Sequence, residues 1–135
     1  MAAGYSSNPL YKKLGIKEGF SVLLINEPAH YTELIGSITS TLTVVKKTAT
    51  DIDFIHFFTN SEKELTTTLP RLMKQIKKDG SIWVSWYKKS AGKPTELNEN
   101  LIRDTALSIG LVDVKVCAVD ENWSGLKLVF RLKDR

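Results

Sequence analysis

Cysteine is nearly missing from this chain: Cys117 stands alone, so no disulfide framework can form within it. Histidine is almost as scarce. His30 and His56 are the only two, and with one cysteine they make no zinc-ligand pattern, so no metal is expected. No apolar run approaches the roughly 20 residues that span a bilayer, and no membrane partner is expected. Met1 to Ser7 lacks the basic and apolar regions of a signal peptide, so the chain is expected to be cytoplasmic. Internal repeats, low-complexity tracts and linkers are absent as well. Acidic residues are outnumbered, 15 against 19 Lys and Arg, and the resulting net charge of +4 mildly favours phosphates and polyanions. The lysine doublets at 12–13, 46–47, 77–78 and 88–89 are scattered, however, and form no basic arm. A solvated surface is therefore preferred to a nucleic-acid footprint, and two of the doublets are read as closing helices.

What remains is an ordinary folding composition. With 135 residues, 42% of them hydrophobic, folding should withdraw roughly two-thirds of the chain's surface from water, which supports one core and a single domain over residues 1–135. Ser7 is placed to cap a short helix over residues 7–15, with Pro9 in its first turn and Gly15 as its stop, packing across the sheet as a lid or plug. Residues 20–25 form a nearly continuous apolar run, as expected of a strand covered on both faces. Tyr31, Leu34, Ile35 and Ile38 recur at helical spacing within a brief helix from Ala29. Residues 41–45 and 53–58 read as two more strands. Their link, 47–52, is too short for a helical crossover, and the preferred reading is an unpaired return along the sheet.

Ser61-Glu62-Lys63-Glu64 matches a capping box, and Leu65, Leu69, Leu72, Met73 and Ile76 lay one stripe along the helix it starts. Pro70 is expected to kink or divide that helix, and Lys77-Lys78-Asp79-Gly80 to end it. Residues 81–86 follow as a strand, then a helix capped by Thr95 and stopped by Gly110. The period finally changes to two, over 112–118 and again over 126–132, which predicts an antiparallel hairpin.

Alternating strands and helices closed by a hairpin predict a three-layer α/β domain, Rossmann-like, with a mostly parallel sheet. The order resembles the SAM-dependent methyltransferases, shortened in the first half. In such sheets ligands sit beyond the carboxyl ends of the strands. The sequence places there Asn26, Glu27 and His30; Lys46 and Lys47; Thr59, Asn60 and Ser61; Trp86, Tyr87, Lys88 and Lys89; and Asp120, Glu121, Asn122 and Trp123. The candidate ligand-binding set is Asn26, Glu27, His30, Trp86, Lys88, Lys89, Asp120, Glu121 and Trp123. Its partner would be a phosphate-bearing or nucleotide-like small molecule, or a protein.

Chemistry is harder to place than topology. A methyltransferase needs glycines after its first strand, and Asn26-Glu27-Pro28-Ala29-His30 has none. Its second strand should end in a carboxylate, whereas Lys46-Lys47 stands here. Its third should be followed by Asn or Asp and Pro-Pro, also missing. SAM catalysis is therefore ranked below a binding role, no catalytic residue is assigned, and the cofactor is left unknown.

Individual residues admit plain readings. His56, inside an apolar strand, is read as a hydrogen-bonded core histidine. His30 could be a base oriented by Glu27 or Glu121, or a surface residue, and the latter is preferred. Cys117 is read as an inert thiol and Trp83 as core, while Trp86 and Trp123 at strand ends suggest recognition. Trp123 could equally fold back on the sheet. Asp120 and Glu121 are adjacent acids on a turn, and Gly125 is read as permitting the hairpin's bend.

Gly4-Tyr5-Ser6, Lys12 to Lys17, Asp53 to His56, Trp83-Val84-Ser85-Trp86, and above all Leu111 to Asp120 with Trp123-Ser124-Gly125-Leu126 resemble a bacterial family of small proteins known as a domain of unknown function. The resemblance implies a small cytosolic protein and carries no activity or catalytic residue with it. The leading expectation is a non-catalytic ligand- or partner-binding module. The alternatives are a methyltransferase-like enzyme with a degenerate cofactor loop and a weak nucleic-acid binder.

Overall fold

A computed structural model describes residues 9–135. Its centre is a six-stranded sheet in the order β2-β1-β3-β4-β6-β5. β1 (Ser21–Ile25), β2 (Thr43–Val44), β3 (Ile52–Phe58) and β4 (Ile76–Tyr87) are parallel, and β5 (Leu111–Ala118) with β6 (Trp123–Phe130) adds the antiparallel hairpin. α1 (Leu10–Leu14) and α2 (Tyr31–Ile35) lie on one face, α3 (Glu62–Gln75) and α4 (Glu99–Ile109) on the other. This is the expected three-layer, Rossmann-like arrangement.

Near-continuous apolar strands are buried because helices cover both faces. In β3, Ile55 and Phe57 join the cluster beneath α3 and α4, while Phe54 and Phe58 join the cluster beneath α1 and α2. Trp83 is fully buried in the latter and its indole N–H donates to the Leu14 carbonyl at 2.9 Å. Each such side chain contributes about 1.5–3 kcal/mol of burial. Both β2 and β3 pair parallel with β1, so the link between them does return along the sheet unpaired.

Several boundaries differ from the sequence reading. Ser7 lies outside the described residues; the described part of the first helix starts after Pro9, which makes no side-chain cap, and ends as expected at Gly15, φ +80. α1 lies on the sheet face over Trp83 and not across the carboxyl rim. α2 is five residues long and continues as a tight 3-10 turn, Gly36–Thr41. α3 runs undivided through Pro70, capped by Ser61 Oγ accepting from Glu64 N–H (3.1 Å).

Lys77 to Gly80 do not close that helix. The chain has already turned into β4 at Ile76, which pairs with Ile52, while Lys77 bonds Asp53 at 2.7 Å. Gly80 admits the resulting irregularity, since a Cβ there would stand 2.8 Å from Ile76 Cγ1 and 2.9 Å from the Asp53 carbonyl oxygen. Thr95 does not cap α4 either. Asn98 does, its side-chain oxygen accepting from Leu101 N–H (2.8 Å), because the preceding turn is taken up by Thr95 accepting from Leu97 N–H. Leu132 falls beyond β6 in an exposed terminal turn.

Candidate functional site

The parallel strands and the start of β6 bring four of the five expected segments to one rim. Asn26 leaves β1 with φ 58, a left-handed conformation that asparagine tolerates better than most residues. That turn aims its side-chain amide across the gap between β1 and β3, donating to the Phe58 carbonyl (3.0 Å) and to Glu64 (3.1 Å). Glu64 also accepts from the Thr59 hydroxyl at 2.5 Å. The gap lies where the strand order reverses, with β2 on one side of β1 and β3 on the other. In open α/β sheets ligands enter there. Here protein side chains bridge it.

The hairpin tip reaches back to the same place. Asp120 Oδ1 accepts from the N–H groups of Asn122 (2.8 Å) and Trp123 (2.9 Å), and Oδ2 meets His30 Nε2 at 2.9 Å. Burial alone would raise the Asp120 carboxyl; His30 and the two amides outweigh it and hold it below the ordinary carboxylate range. His30 thus has Asp120 as its partner, where the sequence suggested Glu27 or Glu121, because the tip's turn points Asp120 inward and leaves Glu121 exposed. The Lys88 N–H donates to the Asn122 carbonyl (2.9 Å), and the Tyr87 N–H to the Asn60 side chain (2.9 Å), fastening the remaining segments.

The aromatic residues divide. Trp123, half-buried, packs edge-on to Phe58 (4.9 Å between ring centres) and against Tyr87 (4.4 Å), so it folds back on the sheet. Trp86 departs from the sequence expectation: it is 7% exposed and belongs to the core beneath α3 and α4, since the pleat turns it inward. Lys46 and Lys47 also miss the rim. β2 pairs only with Ser21 and Val22, stopping near the start of β1, and the Lys47 carbonyl accepts from Gln75 at the far end of α3 (2.6 Å). Glu27 and Lys89 are exposed at the rim and Lys88 is half-buried.

Behind this rim lies a buried polar chain. His56 stands between the Tyr31 hydroxyl at Nδ1 and Ser85 Oγ at Nε2, each at 2.8 Å, and stacks on Phe58 at 4.2 Å. Complete burial pushes its pKa down to about 3, so the ring is neutral. One nitrogen donates and the other accepts, which is the core role anticipated for it. The Cys117 thiol, expected to be buried, is half-buried, and desolvation raises it against the opposing pull of Lys115 and Lys13.

On the other side of β3 is a shallow open depression of about 490 Å³, lined by Asn60, Ser61, Pro94, Thr95 and Glu96. Glu96 Oε1 accepts from the Glu62 N–H at 2.8 Å, filling the start of α3 that would otherwise receive an anion. Acids at the helix starts do occupy those N-termini, as their sequence positions imply, but the cross-element contacts of Glu64 with Asn26 and of Glu96 with the Glu62 N–H are set by tertiary structure. The one available signal was Asn26 before Glu27-Pro28, a residue suited to a left-handed turn.

Residues 32–132 match the family described as "Protein of unknown function (DUF3052)". The chain belongs to this family. No match is found among curated proteins. Among solved structures, a SAM-dependent methyltransferase from Aquifex aeolicus is similar at TM-score 0.67 and 18% identity, over 90% of this chain and 88% of that one. A TehB-like SAM-dependent methyltransferase from Corynebacterium glutamicum is similar at TM-score 0.56 and 12% identity, over 96% and 91%. The fibrillarin of Aeropyrum pernix, solved with S-adenosyl-L-methionine, gives 0.57 and 11%, over 89% and 73%. These likenesses establish the fold of this family member as methyltransferase-like.

The residues do not fit the cofactor that such folds carry. The loop after β1 has no glycine and Pro28 lacks an N–H, so the backbone offers no close cradle. β2 ends before the rim, followed by lysines and no ribose-binding carboxylate. Asn26, Phe58 and Glu64 are already bonded across the crevice.

Proposed function

We propose that this chain is a non-catalytic binding module on a methyltransferase-like frame, with its contact surface along the carboxyl edge of the sheet. The observation that carries this reading is the bridged crevice: Asn26 joins β1 to β3, and the His30–Asp120 pair pins the hairpin tip beside it. A ligand or protein partner would then lie on the rim and not enter it, meeting Lys88, Lys89, Glu27, Glu121 and the accessible part of Trp123. The depression beside Asn60 is correspondingly shallow. This combination of a half-buried aromatic and surrounding charge suits recognition.

A second reading, a SAM-dependent methyltransferase with a degenerate cofactor loop, is favoured by the fold alone. Thermal unfolding with SAM and S-adenosylhomocysteine separates the two, because a ligand at 100 times its dissociation constant adds about 2.7 kcal/mol of stability. The binding-module reading expects no shift with either compound. A saturable shift would replace it with the enzyme.

A further inference from the structure

The amino-terminal edge of the sheet, opposite the rim, holds a more enclosed cavity of about 390 Å³. Its walls include Lys17, Phe20, Asp79, Gly80, Lys127 and Arg135. Lys127 is the central feature. It projects from β6 on the face that carries α1, and its ammonium sits close enough to the α1 stop that a Cβ on Gly15 would be 3.6 Å away. Among the described residues no carboxylate lies within ion-pairing distance of Lys17, Lys127 or Arg135. Asp53, also in the wall, is already committed to Lys77 at 2.7 Å and to the Ser21 N–H at 2.8 Å.

A half-buried ammonium without a counter-ion is costly, and two further cations, Lys17 and Arg135, line the same space from its exposed edge, Arg135 with its Nε on the Phe130 carbonyl at 2.9 Å. Burial, with Lys115 and Arg135 nearby, holds Lys127 below the ordinary lysine range, so an arriving anion would relieve both penalties. The other walls are not featureless. Asp79 can accept hydrogen bonds from hydroxyl groups, and Phe20 offers an apolar surface. The volume falls within the usual range for small-molecule sites, roughly 300–1,000 Å³.

We propose that this cavity binds a hydroxylated small organic phosphate, such as a sugar phosphate, with its phosphate on Lys127, Lys17 and Arg135 and its hydroxyls toward Asp79. The site is separate from the carboxyl rim, and neither assignment depends on the other.

Titration of the ¹⁵N-labelled protein with ribose 5-phosphate, ribose and inorganic phosphate tests this. Saturable shifts of the Gly80, Ser81 and Val129 amides are expected with ribose 5-phosphate, with weaker binding of inorganic phosphate and none of ribose. Lys127→Gln should weaken binding about tenfold or more, as loss of a charge-assisted contact does, whereas Lys63→Gln on the exposed face of α3 should leave it unchanged. The wild-type titration stands even if the Lys127 variant misfolds. The proposal fails if those amides do not move at millimolar ribose 5-phosphate, if inorganic phosphate binds as tightly as ribose 5-phosphate, or if both lysine variants weaken binding equally.

Discussion

Acidification should unlock the His56 chain before it disturbs Asp53 or Asp120. In the unfolded chain His56 takes up a proton near its ordinary value of 6.5, whereas in the folded protein it does so only at about 3. Between those values the unfolded state binds one more proton, so stability is intact above 6.5 and falls as pH drops, by about 1.4 kcal/mol per unit. From pH 6.5 to about 4.5 the loss is about 2 kcal/mol, a large part of the 5–15 kcal/mol that a typical domain possesses. Asp53 and Asp120 are held below the ordinary carboxylate range, so their contributions are lost only as pH falls through and below that range, after most of the His56 loss. Urea unfolding followed by tryptophan fluorescence at several pH values measures the slope. His56→Gln supplies the comparison: it can still bond Tyr31 and Ser85 but cannot titrate. Its cost at neutral pH is about 1–3 kcal/mol from imperfect hydrogen bonds, and its pH slope should be shallower by the His56 contribution. Parallel losses in the wild type and the variant would refute the reasoning.

Gly125 gives a steric test. A Cβ there would stand 3.0 Å from Trp83 Cε3, 3.2 Å from Val119 Cγ2 and 3.3 Å from Ser85 Oγ, so Gly125→Ala should cost about 1–3 kcal/mol by overpacking. Unchanged stability in urea would show that Trp83 can give way. Asp120→Ala should free His30 and two backbone amides of the hairpin tip, lowering stability by about 1–2 kcal/mol and speeding hydrogen exchange at Trp123. Exchange as slow as in the wild type would mean that packing against Phe58 and Tyr87 holds the tip without Asp120.

The sequence by itself determined the layers and the direction of most strands. Runs such as Phe54 to Phe58 are apolar on both faces and therefore demand helices above and below, while the alternation from Leu126 to Phe130 admits only a sheet with one wetter face. The helix-end signals at Ser61, Gly15 and Gly110 are local hydrogen-bonding and φ preferences, so they too were legible. Register and long-range partners were not. Whether Trp86 faces the rim or the core depends on one residue of pleat, and whether His30 meets Glu121 or Asp120 depends on a turn 90 residues away in the chain. Gly125 looked like a bend and proved to be clearance for Trp83, a neighbour that exists only once β4 and β6 are side by side. The closing of the crevice by Asn26, like the gathering of Lys17, Lys127 and Arg135 at the other edge, was decided by tertiary structure alone, because those contacts join residues that the chain's local pattern leaves unrelated.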